Sequence, residues 1–129
     1  MERRSPNLLL AALLGWLVPG AGHYLVLRMR AKGAFYFVLI TGTYLAGLVM
    51  SGFIGVNYER FPIHFAAYVW NGLTTFVTMV ATSSLKVKGY NTQEQLGTLY
   101  ILVASLLNLL AVLDIFGCVE RAKTAEATP

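Results

Sequence analysis

The chain has 129 residues, of which 57% are hydrophobic and 12% are charged, and its net charge is +4. A soluble domain usually carries about 25% charged residues, and a chain this apolar would expose large hydrophobic patches in water. The composition therefore argues against an ordinary soluble domain and predicts a single all-α integral membrane domain over 1–129. The cations form short clusters at segment ends, which is typical of membrane topology signals. We predict no nucleic-acid partner.

The first apolar segment, 7–27, is predicted to be a membrane helix that is kinked or re-entrant at Pro19-Gly20. Proline removes a helical hydrogen bond and clashes with the preceding turn, and the adjacent glycine weakens the helix further. A helix ending at Pro19 would fall short of the ~20 residues that a crossing needs. A basic start before an apolar run also fits a signal peptide, but the small residues offer a poor cleavage site.

The second apolar run, 34–55, carries small residues spaced four apart. Residues at this spacing share one helix face, and small side chains let a second helix approach closely in lipid. We interpret this ridge as a helix-packing face. It consists of Thr43, Gly47, Ser51 and Gly55.

The third run, 63–85, carries a polar stripe of Asn71, Thr75, Thr78 and Thr82. Threonine hydroxyls can bond back to their own helix, so the stripe is interpreted as structural and facing protein. A pore lining is the alternative interpretation.

The fourth run, 93–117, is predicted to be a helix followed by a short polar tail, 118–129. Because the third and fourth helices are joined by a short connection, we expect them to be antiparallel. At ~1.5 Å per residue, Asn71 and Asn108 then lie near the same membrane depth. We predict that these two side chains face each other.

Two membrane topologies fit the sequence. Four crossings place five cations on each side, so the positive-inside rule is uninformative. If 7–27 instead enters the membrane and returns, seven cations share one side and three the other. The expected topology and headgroup residues are Arg28, Arg30, Lys32, Lys86 and Lys88.

The sequence offers little reactive chemistry, and we predict a protein that is not an enzyme and has no metal site. One cysteine and two distant histidines are too few for a metal-ligand cluster. No cofactor is predicted, although a bound lipid or pigment remains open, with His23 and His64 as the candidate pigment ligands. Asp114 is the polar intramembrane candidate. It has a proton path, a headgroup contact or a pair with Arg28 or Arg121 as alternative roles.

Two pieces of the sequence carry a family resemblance. The turn Pro19-Gly20-Ala21-Gly22-His23, with Arg28 and Lys32-Gly33 after it, resembles the two-transmembrane-helix (TM2-like) domain family. The apolar stretch Leu106–Leu110 with Leu113-Asp114 resembles the last helix of the same proteins and of related small bacterial membrane proteins. The resemblance implies a membrane helical fold and carries over Arg28 and Asp114 as polar positions. It implies no catalytic activity.

The expected function is that of a non-catalytic accessory or scaffold subunit of a larger membrane complex in a bacterial inner membrane. A short chain with a small-residue ridge and few intramembrane ionisable groups favours this function. Membrane lipids and other membrane-protein subunits are the expected partners, with a hetero-complex preferred to a homo-oligomer. The alternative is a small oligomeric transporter or channel that uses the polar stripe of the third helix.

Overall fold

The structure is a computed structural model that describes residues 7–53, 68–83 and 92–127. Within these ranges all regular structure is helical, which confirms the all-α prediction. The helices are α1 (Leu8–Leu17), α2 (Arg30–Met50), α3 (Leu73–Thr82) and α4 (Thr92–Ala127). A π-helical turn spans Gly22–Val26, and a 3-10 turn spans Val69–Asn71.

Two of these helices are long and apolar enough to cross a membrane. They are Arg30–Met50 and Thr92–Ala125, with mean hydropathies of 1.7 and 2.3. Helices α1 and α3 have 10 residues each, which is about 15 Å of helix against a hydrocarbon core of ~30 Å. Neither short helix is long enough to cross alone.

The observed helix boundaries differ from the predicted ones at three places. The segment 7–27 is interrupted because α1 ends at Leu17 and the π-helical turn starts only at Gly22. The described part of 63–85 is interrupted at Gly72, between the 3-10 turn and α3. Most of the tail assigned to 118–129 is helical, since α4 continues to Ala127.

The chain reverses direction after α1. Val18 is extended (φ −130°, ψ 117°), as the steric demand of a following proline favours, and Gly20 has a left-handed φ of 78°. Gly22 then lies against the backbone of Ala11, where a Cβ would overlap the Ala11 carbonyl oxygen. Leu8, before the reversal, and Val26, after it, pack on the same cluster at the C-terminal part of α4.

Helices α2 and α4 form the centre of the bundle and run antiparallel. Lys32 near the start of α2 contacts Cys118 on α4, whereas Gly47 near the end of α2 contacts the backbone of Gly97. A buried apolar cluster fills the space between these two points. It contains Ile40, Tyr44, Leu48, Tyr68, Ile101, Ala104 and Ala111.

The described part of the segment between α2 and α4 reaches the interior, whereas the two ends of the segment lie close together. Ser51 lies against the backbone of Gly97, so both ends of the segment meet there. Between them, Gly72 packs against the Trp16 backbone, and Trp70 bonds to Asn108. Helix α4 rises about 16 Å between Gly97 and Asn108. The 3-10 turn therefore lies about half a membrane thickness from that end.

We predict opposite effects for the same substitution at two glycines in the two long helices. A Cβ at Gly47 would lie 2.6 Å from the Gly97 oxygen, whereas a Cβ at Gly117 would meet no other atom of the described residues within 4 Å. Gly47→Ala should lower the unfolding free energy by about 1–3 kcal/mol, because it overpacks the α2–α4 contact. Gly117→Ala should leave it unchanged or raise it by up to ~1 kcal/mol through helix propensity. Equal effects in thermal unfolding of the micelle-bound protein would contradict this packing.

Candidate functional site

A cluster of polar side chains surrounds Asp114 near the end of the bundle where α2 begins. The Asp114 Oδ2 atom lies 2.5 Å from Lys32 Nζ and 2.8 Å from His23 Nε2. The Tyr36 hydroxyl donates to the same oxygen at 3.5 Å, and the Cys118 thiol lies 3.9 Å from it. One carboxylate thus joins the π-helical turn to α2 and α4.

His23 is the innermost member of this cluster and has no solvent exposure. Its position follows from the wider π-helical turn, in which Leu27 N–H bonds to the Gly22 carbonyl and Met29 N–H bonds to the His23 carbonyl. The imidazole packs on the Tyr36 ring, with centroids 5.0 Å apart. Its Nε2 bonds to Asp114, and its Nδ1 has no partner among the described residues.

From the sequence, a pair with Arg28 or Arg121 was one of three alternative roles for Asp114. Neither Arg28 nor Arg121 pairs with Asp114 among the described contacts; both are exposed, and the carboxylate pairs with Lys32. His23, a candidate pigment ligand from the sequence, bonds to Asp114, which is 91 positions away. Antiparallel packing of the second and fourth runs would have placed Lys32 beside Asp114. In that arrangement the start of the second run lies next to the end of the fourth.

Three potential metal ligands meet in this cluster. The ligand atoms of His23, Asp114 and Cys118 lie within 4.8 Å of one another. The prediction of no metal site counted only cysteine and histidine and left out the carboxylate. The Lys32 ammonium, however, lies 2.5 Å from Asp114 and 3.6 Å from Cys118. A cation already neutralises the carboxylate here, so a metal ion would have to displace this side chain, and the arrangement is an ion pair as it stands.

A second polar site lies where the two interrupted segments meet. Asn108 Nδ2 donates to the carbonyl oxygens of Trp70 at 2.7 Å and Trp16 at 3.3 Å. The Trp16 indole N–H donates to the Val69 carbonyl at 3.0 Å. The carbonyls of Trp16 and Trp70 thus accept hydrogen bonds from Asn108 on α4, and the Val69 carbonyl accepts one from the Trp16 indole.

Asn71 and Asn108, which were predicted to lie at a similar membrane depth, are both fully buried. Their contact differs from the expected amide pair, because Asn108 bonds to the backbone carbonyl of Trp70, the neighbour of Asn71. Both polar atoms of the Asn71 side chain lack a partner among the described residues.

Two members of the polar stripe of the third run, Thr75 and Thr78, form hydrogen bonds within the chain. Thr75 Oγ1 donates to the Tyr68 carbonyl at 2.7 Å. Thr78 Oγ1 donates to the Thr74 carbonyl at 2.8 Å and accepts from the Tyr44 hydroxyl at 3.0 Å. These side chains face α2 and their own backbone.

The small-residue ridge of the second run lies against α4. Gly47 and Ser51 are buried at the Gly97 backbone, while Thr43 bonds to its own helix at the Leu39 carbonyl. The ridge is therefore used inside the chain. His64, Gly55, Lys86, Lys88 and the Thr82 side chain lie outside the described residues.

Comparison with known proteins places the chain in a family. Residues 10–127 match a family described as a family of unknown function, DUF6677. The chain belongs to this family. No curated protein and no solved structure matches the chain.

The family match covers both interrupted segments and the Asp114 cluster. The two pieces that carry the TM2-like resemblance, the turn at His23 and the helix ending at Asp114, meet at the His23–Asp114 bond. That resemblance stays a prediction.

We expect Asp114→Asn to destabilise the protein because it leaves the Lys32 ammonium without its counter-charge. Breaking a fully buried pair costs ~3–5 kcal/mol. The Asp114 side chain is 29% exposed, so we expect a smaller loss of unfolding free energy, about 1–3 kcal/mol. Thermal unfolding in micelles measures this loss, with Glu120→Gln on the exposed part of α4 as the control.

A double-mutant cycle separates the ion pair from general effects of the substitution. Lys32→Met should cost clearly less in the Asp114→Asn background than in the wild type, because the charge that it removes is then already unpaired. Additive losses would contradict the pairing of Lys32 with Asp114.

Proposed function

We propose that the protein is a non-catalytic accessory or scaffold subunit of a larger membrane complex. The observation that carries the proposal is a free face on α2 with a small-residue notch. A Cβ at Gly42 would meet no other atom of the described residues within 4 Å, and Ala46, one turn later, is also exposed. The polar groups described above are, in contrast, largely engaged with the chain itself.

The exposure of the two long helices supports embedding in lipid. Only 28% of the most apolar window of α2 and 39% of that of α4 is buried within the chain. The core helix of a soluble protein would be mostly buried. The exposed positions carry large apolar side chains, for example Val38 (69% exposed) and Val49 (66% exposed) on α2.

We place two crossings and two re-entrant segments in the membrane. Helices α2 and α4 cross, and the segments that contain α1 and α3 each enter and return to the side they left. A lipid-embedded broken backbone must be buried in protein, and the contacts among Trp16, Gly72 and Asn108 support this placement.

The charge distribution supports one orientation for this arrangement. Among the described residues, every lysine and arginine belongs to the end where α2 begins and α4 finishes. These residues are Arg28, Arg30, Lys32, Arg121 and Lys123. By the positive-inside rule this end faces the cytoplasm. An all-helical membrane protein suits a bacterial inner membrane, since outer-membrane spanning proteins are β-barrels.

Single-cysteine labelling in a Cys118→Ser background tests the orientation. We expect a cysteine at Gln93 to react with an impermeant reagent added outside intact cells, and cysteines at Met29 and Ala125 to be shielded. With the same N-terminal orientation, four crossings would also expose Met29. A hairpin followed by three crossings would expose Ala125 and shield Gln93. Each topology thus gives its own pattern.

The free face of α2 supports the partner part of the proposal. In lipid, small residues let a second helix approach closely and gain van der Waals contact. Gly42 and Ala46 lie one turn apart on one face, beside the exposed side chains of Val38, Leu45 and Val49. A partner helix of the complex would fit at this notch.

The alternative of an oligomeric transporter or channel receives less support. Its path was expected along the third run, yet Thr75 and Thr78 are buried and hydrogen-bonded within the chain. A path would need these side chains to line water. We therefore prefer the scaffold function.

Co-purification tests the scaffold proposal. Gentle extraction, size separation and mass spectrometry should show larger subunits that travel stoichiometrically with the wild-type chain. Gly42→Leu should abolish this association, whereas Gly117→Leu, at an equally open glycine on α4, should retain it. A wild-type chain that migrates only with copies of itself would overturn the proposal.

A further inference from the structure

An apolar groove lies between the reversed chain after α1 and the first turns of α2. Its volume is about 300 Å³, and residues 18–21, 24, 25, 33, 34 and 37 line it. This volume is at the lower limit of the ~300–1,000 Å³ typical of ligand pockets. Its lining residues are apolar apart from the Tyr24 hydroxyl, so a ligand would be held by contact rather than by directed hydrogen bonds.

The shape of the groove depends on contacts between glycines in its two walls. A Cβ at Gly20 would overlap the Gly33 carbonyl oxygen, and a Cβ at Gly33 would lie 2.8 Å from the Tyr24 backbone nitrogen. The walls touch at these points, and Tyr24 (47% exposed) and Leu25 (61% exposed) stand beside them on the outside. The groove is thus a fixed feature of the chain reversal that opens to the outside of the bundle.

The segment that joins the two walls carries positive charge. Arg28 and Arg30 flank Met29, whose N–H bonds to the His23 carbonyl, and both arginines are exposed. Arg28 has a left-handed φ of 55°, which is uncommon for a residue with a side chain. Lys32 is engaged with Asp114, so the two arginines supply the exposed charge at this end of the groove.

We propose that this groove binds one acyl chain of an anionic phospholipid whose phosphate contacts Arg28 and Arg30. Fully buried Pro19 lines the groove, and so do Leu25 and Gly33, which are three residues along the chain from Arg28 and Arg30 respectively. A phospholipid of the adjacent leaflet has the same order, with an apolar chain inside and an anionic phosphate at the surface. Cations near an anionic leaflet attract such headgroups. The inference rests on the membrane orientation proposed above, and it does not require a protein partner.

Native mass spectrometry of the detergent-purified full chain tests the site. The probes are phosphatidylglycerol and phosphatidylcholine with identical acyl chains. We expect the wild type to retain one phosphatidylglycerol under conditions that remove phosphatidylcholine. Arg28→Gln/Arg30→Gln should weaken phosphatidylglycerol binding roughly tenfold and remove the preference, since each cation contributes to headgroup attraction.

Two further variants separate the groove from general charge and folding effects. Arg121→Gln/Lys123→Gln removes two exposed cations at the same end of the bundle and should leave the preference intact. Ala34→Trp fills the groove from an exposed position and should lose the retained lipid, with an unchanged helical circular dichroism spectrum as the folding check.

Equal retention of the two lipids by the wild type would overturn the inference. So would equal losses in both double variants, or a folded Ala34→Trp protein that keeps the lipid. The co-purification experiment at Gly42 tests a different surface. A failure of lipid binding therefore does not contradict the scaffold proposal, and a failure of co-purification does not contradict lipid binding.

Discussion

A helix that ends in the interior of a bundle leaves carbonyl groups without partners, and this constraint governs the centre of the protein. Two such interruptions occur, at the end of α1 and at the 3-10 turn before α3. Asn108 satisfies a carbonyl at each, those of Trp16 and Trp70. Lipid supplies no hydrogen bonds to a broken backbone. The two interruptions are therefore stable because they pack against each other and because the Asn108 amide donates a hydrogen bond to each of them.

Helix α4 contacts α1, α2 and the two turns along one face. Gly97 packs against the end of α2. Asn108 donates hydrogen bonds to a carbonyl at each of the two interruptions. Asp114 pairs with His23 in the π-helical turn and with Lys32 at the start of α2. The buried positions of this face alternate in steps of three and four, the spacing of a helix-packing seam. They are Gly97, Ile101, Ala104, Asn108, Ala111 and Ile115. The polar members of the seam fix the depth at which each element packs, while the apolar members fill the core.

The sequence predicted the local features of this fold better than their connection. Proline chemistry predicted a kinked or re-entrant segment at Pro19-Gly20, and α1 ends nearby at Leu17. Equal depth predicted that Asn71 and Asn108 face each other, whereas Asn108 bonds to the neighbouring Trp70 carbonyl. The break at Gly72 was missed because glycine is tolerated in apolar helices, and only contact with the Trp16 backbone requires its left-handed φ of 53°. The Asp114 cluster was missed for a similar reason. Its members come from three segments, so their meeting depends on antiparallel packing that no single segment specifies.

The use of α4 inside the chain limits where another protein can bind. Its seam is covered by α1, α2 and the two turns, and the ridge at Gly47 and Ser51 is covered by α4. The ridge that first suggested a docking face is therefore unavailable to a partner. The notch at Gly42 is on a different side of α2, where no residue in 7–53, 68–83 or 92–127 covers it. Two sets of small residues lie on different faces of one helix when their positions differ in angle around the helix axis. Gly42 and Ala46 precede Thr43 and Gly47 by one position each, which is about 100° around the helix. One face thus builds the bundle, and the other is the face at which the proposed partner helix would pack.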